Sequence, residues 1–179
     1  MLIDDFRSEY ARYRKLGDGA LGQITDDGLN AMPSSDGNSV AMIVRHVGGN
    51  LVSRFTSFTT TDGEKPDRDR ETEFDIRTYT RDDVAVWWEK GWAALDTALA
   101  GLNDGMLEHT VTIRGQPLTI HAALSRSLSH TSYHVGQIVL LARMHASGEW
   151  KSLSIPRGGS DAYNRAPTRE RGRVSTASS

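Results

Sequence analysis

Six histidines and no cysteine bound the chemistry open to this chain. Without thiols there is no disulfide, thiolate zinc site, iron–sulfur cluster or cysteine nucleophile. A metal would have to be held by His, Asp, Glu or backbone oxygen. In His130-Thr131-Ser132-Tyr133-His134 two histidines stand four residues apart. On a helix such residues share a face, with Cβ atoms about 5–6 Å apart, so both imidazoles can reach one cation. A third, His46, lies between Val44 and Val47 in another stretch of helical period. Three imidazoles converging from two helices leave one or more positions for water or substrate, the layout of a catalytic rather than a closed structural site. Zinc, nickel and iron all accept such a set, and ligand type does not choose among them. Thr131 follows His130 where helical metalloproteases carry a glutamate base, so that class is rejected. The bland alternative stays open: histidines that hydrogen-bond neighbours or face water.

Asn50 and Arg54 follow His46 by one and two helical turns. Asn50 suits the orienting of a water, and Arg54 the bidentate clamping of a substrate carboxylate. Both also fit a solvated helix face. Gln137, three residues after His134, suits a bond to that ring's other nitrogen. His109, His121 and His145 are weaker candidates, at a strand, in a first helical turn and in a last turn. Trp87, Trp88 and Trp92 at helical spacing read as core or a dimer face, not as a stacking platform for nucleic acid.

Four helices must position these residues. The first has an apolar stripe over residues 3–25, weakened by Gly17, Gly19 and Gly22. The second opens at Asn38-Ser39 and runs to about residue 60, after a turn-rich link from Asp26 to Gly37. Residues 61–79 are polar and without period and read as a long surface loop, which at this length is usually either functional or a misassigned element. The third helix starts at Thr80, with Asp83 three residues on. It buries Val84, Trp87, Trp88, Trp92, Leu95, Leu99 and Leu102. Alternation around Gly115, from Thr110 to Leu118, predicts a small hairpin. The fourth helix opens after Thr119 and runs to about His145; a loop follows over 153–167. This pattern predicts an all-α four-helix bundle, with a long loop between helices two and three and a hairpin before the last.

The 179 residues suit one domain, expected over 1–167, with a disordered tail over 168–179. Twenty-one Lys+Arg against 23 Asp+Glu give a formal charge of −2. That argues against a broad nucleic-acid or membrane surface but leaves room for a local patch. The longest apolar runs, Val40–Val44 and Ile138–Ala142, are far short of the roughly 20 residues of a membrane span. The start shows no signal-peptide pattern, so a soluble cytoplasmic protein is expected.

Three blocks carry a resemblance. Asn38 to Asn50 with Thr59 to Pro66, and Leu128 to Ile138 with its His-x-x-x-His-x-Gly-Gln pattern, resemble the DinB-like (YfiT-like) metalloenzyme superfamily. Leu153-Ser154-Ile155-Pro156-Arg157-Gly158-Gly159-Ser160 is similar to the tail of a poorly characterised bacterial subgroup within it. The resemblance covers roughly residues 1–167. It implies a four-helix bundle with a divalent metal on His46, His130 and His134, and a homodimer. Characterised relatives include transferases and isomerases that use low-molecular-weight thiols. Here such a thiol would have to be exogenous. Thiol transfer to, or hydrolysis of, a small molecule is one reading. A non-catalytic, stress-related metal-binding dimer is a second, and a helical dimer with satisfied core histidines a third.

Overall fold

The computed structural model describes residues 1–168. Beyond Thr168, the expected disordered tail lies outside the described residues. The fold is mostly helical with one two-stranded sheet. Four long helices dominate: α1 (Leu2–Leu21), α3 (Val40–Phe55), α4 (Arg81–Ala100) and α5 (Ile120–Met144). Two short helices, α2 (Asp26–Asn30) and α6 (Ser160–Arg165), sit in the connections. Most α-helical starts are capped by the residue that the sequence offers. The hydroxyls of Ser39, Thr80 and Thr119 accept from the backbone N–H groups of Met42, Asp83 and Ala122. Thr80 and Asp83 complete a reciprocal capping box.

Several boundaries differ from the sequence expectation. α1 ends at Leu21, and Ile24 instead pairs with Ala146 in an isolated bridge. α3 ends at Phe55, five residues early, because Thr56 is extended and Ser57 takes a positive φ of 51°. The turn-rich link contains α2, whose first turn is capped by Thr25 accepting from Gly28 N–H. The loop over 153–167 contains α6. Local hydrogen bonding creates both short helices without a long apolar stripe to announce them.

α3 packs along α4, α1 along α5, and α3 also meets α5 while α1 touches α4. The α3–α4 contact is close because two glycines meet. A Cβ on Gly91 would lie 2.7 Å from Gly48 Cα, and one on Gly48 would strike the Trp87 backbone. Trp88 and Trp92 are buried, edge to face at 5.3 Å, and serve the core rather than an exposed platform. Trp87 is only half-buried.

The hairpin pairs β1 (Thr110–Ile113) with β2 (Gln116–Thr119), from Thr110 opposite Thr119 to Ile113 opposite Gln116. Its two-residue turn, Arg114-Gly115, has positive φ at both positions, 56° and 69°, as a tight hairpin requires.

The 61–79 connection is pinned throughout its length. Asp62 accepts from the backbone N–H groups of Glu64, Arg114 and Gly115. The Ser53 hydroxyl on α3 donates to Gly63 O and accepts from Lys65 N–H. Further on, Arg45 on α3 bonds Thr72 and the Tyr79 hydroxyl. Asn30 makes two bonds to the Tyr79 backbone. Between these ties a 3-10 turn, Glu71–Phe74, presses Glu73 into the interior at 4 % exposure.

Candidate metal centre

His46 sits mid-way along α3, and His130 and His134 lie one turn apart on α5. The α3–α5 contact brings one ring nitrogen from each within 4.8 Å of the others. Among the described residues this is the only group of three or more His or carboxylate side chains so gathered that could hold a metal ion.

The hydrogen bonds decide which nitrogens face the centre. His46 Nδ1–H donates to Glu73 Oε2 at 2.8 Å, so its Nε2 carries the lone pair. His134 Nδ1–H donates to Gln137 Oε1 at 2.8 Å, again leaving Nε2 as the lone-pair nitrogen. That Nε2 is buried and has no hydrogen-bond partner. His130 Nε2 lies 3.2 Å from His46 Nε2, and its own Nδ1 is buried without a partner. A buried polar atom with nothing to bind costs free energy. Lone pairs aimed at one point are what a cation would satisfy, so these residues fit a divalent metal. Three imidazoles also match the ligand chemistry of zinc, nickel and iron.

Electrostatics keep the rings in ligating form. Burial, then the neighbouring His134 and His46, push the His130 imidazole down to about 3. Burial likewise pushes His134 down to about 4, against the opposing bond from Gln137. Both are therefore neutral near pH 7. Glu73 is the opposite case. Burial would raise its carboxyl, but the hydrogen bonds from His46 and Arg68 outweigh that and hold it below the usual carboxylate range.

Arg68 grips Glu73 through two contacts, Nε to Oε1 and Nη2 to Oε2, both 2.8 Å. The side chains of His46, Glu73 and Arg68 are only 5–6 % exposed. Gly49 makes room for this chain, because a Cβ there would collide with the Glu73 carboxylate. The run His46-Val47-Gly48-Gly49-Asn50 thus has a distinct task at four positions. His46 offers its ring, Gly48 lets α4 approach, Gly49 admits Glu73, and Asn50 faces the cavity next to the histidines.

That cavity has a volume of about 280 Å³ and is bordered by His46 and His130. Asn50 and Arg54 line it. Arg54 is not a solvated side chain: it is half-buried, donates to Gly63 O, and pairs with Glu64 at 3.0 Å. Gln137 lies outside the cavity, against His134. The remaining histidines are elsewhere. His121 packs its ring on Phe6, and His145 caps the end of α5. Glu73 and Arg68 were not foreseen. The 61–79 segment holds seven acidic residues without period, so nothing local distinguishes the one that turns inward.

This predominantly helical fold has a solved counterpart. It is the crystal structure of a DinB-like protein from Bacillus cereus ATCC 10987, which superposes with a TM-score of 0.61 at 17 % identity. The match covers 82 % of this chain and 97 % of that one. The fold is therefore DinB-like. No curated protein matches the sequence. The family described as "Protein of unknown function (DUF1572)" matches residues 1–159, and the chain belongs to it.

Proposed function

We propose that this protein is a metal-dependent enzyme built on a four-helix bundle spanning residues 1–167, with His46, His130 and His134 holding one divalent ion. The observation that carries the reading is the convergence of three imidazole nitrogens within 4.8 Å at the edge of a cavity. Zinc, nickel and iron are the candidate ions. Such an ion supplies Lewis acidity and lowers the pKa of a water or thiol at its open position.

The chain's own residues supply orientation and exclude the wrong protonation states. Glu73 holds the His46 ring through Nδ1, and Arg68 keeps that carboxylate ionised and in place. Gln137 does the same for His134 with a neutral acceptor. Such outer partners fix the tautomer and ring angle of a ligating histidine. Asn50, one turn from His46, would hydrogen-bond a substrate or a water in the cavity. Arg54 would neutralise negative charge there. The reaction is transfer of an exogenous low-molecular-weight thiol to a small electrophile, or hydrolysis. The resemblance drawn from the sequence motifs favours the first. A homodimer and a cytoplasmic location belong to the same reading; among the described residues, no helix is long and apolar enough to cross a membrane.

The test begins with elemental analysis of untagged protein purified without chelator, beside His46→Ala and His130→Ala. About one divalent ion per chain is expected in the wild type and none in either variant. Loaded protein is then screened with thiols against electrophiles, and with activated esters. Turnover above that of His130→Ala supports the enzyme. Metal without any turnover leaves the non-catalytic metal-binding dimer. Wild type that takes up neither zinc nor nickel sinks both. Sedimentation velocity reads the dimer.

A further inference from the structure

Five arginines line the cavity beside the histidines: Arg54, Arg68, Arg70, Arg114 and Arg126. No Asp or Glu is among its lining residues, although the whole chain is formally −2 with 23 acidic residues. These arginines come from α3, the 61–79 connection, the hairpin turn and α5, so no single charged helix face explains their meeting.

Pairing does not cancel the charge. Arg68 is spent on Glu73, which also serves His46. Arg54 and Arg114 both reach the same carboxylate oxygen of Glu64, each at 3.0 Å, so two guanidinium groups share one negative charge. Arg70 pairs with Glu71, whose side chain is 89 % exposed. Arg126 is exposed and has no hydrogen bond or ion pair among the described residues. Burial, and the neighbouring charges of Arg68 and Arg114, also work against the Arg54 guanidinium.

A concave wall of one sign next to apolar surface concentrates counter-charge. Here the apolar surface is Phe55, Phe58 and Ile113. Guanidinium is the group best matched to the planar or tetrahedral oxygens of carboxylate and phosphate. Arg126 precedes His130 by four residues on α5, about 6 Å along the axis, so an anion on Arg126 lies one helical turn from the histidines. The cavity, about 280 Å³, falls just below the range of about 300–1,000 Å³ usual for small-molecule sites and suits a small ligand.

We propose that this cavity binds a small organic anion, its carboxylate or phosphate on Arg126 and the Arg54–Arg114 pair and its apolar body on Phe55 and Phe58. This deepens the enzyme reading by naming its substrate class, and rests on that reading only in calling the anion a substrate.

Isothermal titration calorimetry on the full chain tests it, in chelator-treated and zinc-loaded forms. The probes are phenylacetate, phenyl phosphate and the neutral phenylacetamide. The two anionic arms separate carboxylate from phosphate recognition. At least one anion is expected to bind chelator-treated protein about tenfold or more tightly than the amide. Arg126→Gln should lose most of that preference and Arg126→Glu all of it. Arg12→Glu, an equal charge change at a residue paired with Glu9 on α1, should leave it intact. Equal binding of anions and amide overturns the proposal, as does wild-type affinity in Arg126→Glu. Anion binding that appears only with zinc and ignores Arg126 also overturns it, while leaving the metal reading standing. Arg126-dependent binding in a chain that takes up no metal supports the anion site and removes the enzyme reading instead.

Discussion

The two walls of the histidine cluster are built differently. On the α3 side, His46 is the end of a buried chain of charge: ring nitrogen to Glu73, Glu73 to Arg68 through two bonds. On the α5 side, His134 has one neutral partner, Gln137, and His130 has none on its Nδ1. One wall is rigid before any ligand arrives, whereas the other is held mostly by its helix. The difference assigns separate costs. The α3 wall makes its payment in folding, by burying an ionised pair, and the α5 wall leaves lone pairs whose satisfaction waits for a ligand. Only α3's wall depends on a segment remote in sequence, which is why the 61–79 connection is tied down at both ends.

Breaking the rigid wall should have the largest effect. Glu73→Ala leaves Arg68 charged and buried and His46 Nδ1–H without an acceptor. Removing one partner of such a buried pair costs about 3–5 kcal/mol, readable as a lower urea midpoint. Glu73→Gln, which keeps an acceptor for His46, should fold better yet still weaken zinc affinity some ten- to a hundredfold. If Glu73→Ala unfolds like wild type, the rigid wall is not a determinant of stability.

Filling the histidine centre comes next. Zinc at a hundred times its Kd should stabilise the fold by about 2.7 kcal/mol, and chelator should reverse the rise in melting temperature. His130→Ala should show no zinc-dependent shift. An equal shift in that variant would place the ion elsewhere.

Space beside Glu73 gives a third comparison. Gly49→Ala puts a methyl group where the carboxylate lies, and the resulting strain should cost about 1–3 kcal/mol. Gly136→Ala on α5, where a Cβ meets open space, should not destabilise. Similar midpoints for the two variants would mean that Glu73 is free to move aside.

Acid should act mainly on the α5 wall. The ordinary histidine value of 6.5 is lowered in the fold to about 3 for His130 and about 4 for His134. Below pH 6.5 the unfolded chain takes up protons that the folded chain refuses, so stability present at pH 7 is lost progressively toward pH 4. Metal-free protein should therefore show a falling urea midpoint from pH 7 to 5, with a shallower fall in His130→Ala. Parallel pH profiles for the two would contradict the burial argument. The smallest effect belongs to Gln137→Ala, which removes one exposed neutral partner. It should lower zinc affinity about tenfold, at the weak end for such partners, and barely move the urea midpoint.

Much of the frame was legible in the residues. Thr80 with Asp83 marks a capped helix start, Arg114-Gly115 a tight hairpin turn, and the four-residue step from His130 to His134 a shared face. The ends of helices were less so. Nothing in Thr56-Ser57 competes visibly with helix continuation until the chain must turn to bring Gly63 onto Ser53.

By itself, then, the sequence determined which side chains share a helix face and that a metal here could not be held by cysteine thiolate, because periodicity and composition are local properties. Tertiary structure decided that His46 meets the α5 pair, that Glu73 among seven acidic residues turns inward, and that arginines from four segments border one cavity. Those contacts join residues 27 to 84 positions apart in the case of the histidine and its partners. No repeat or period of the chain encodes such separations. They exist only once Gly48 and Gly49 let α4 and Glu73 close on α3, and burial joins the Glu73 carboxylate to the His46 ring and Arg68.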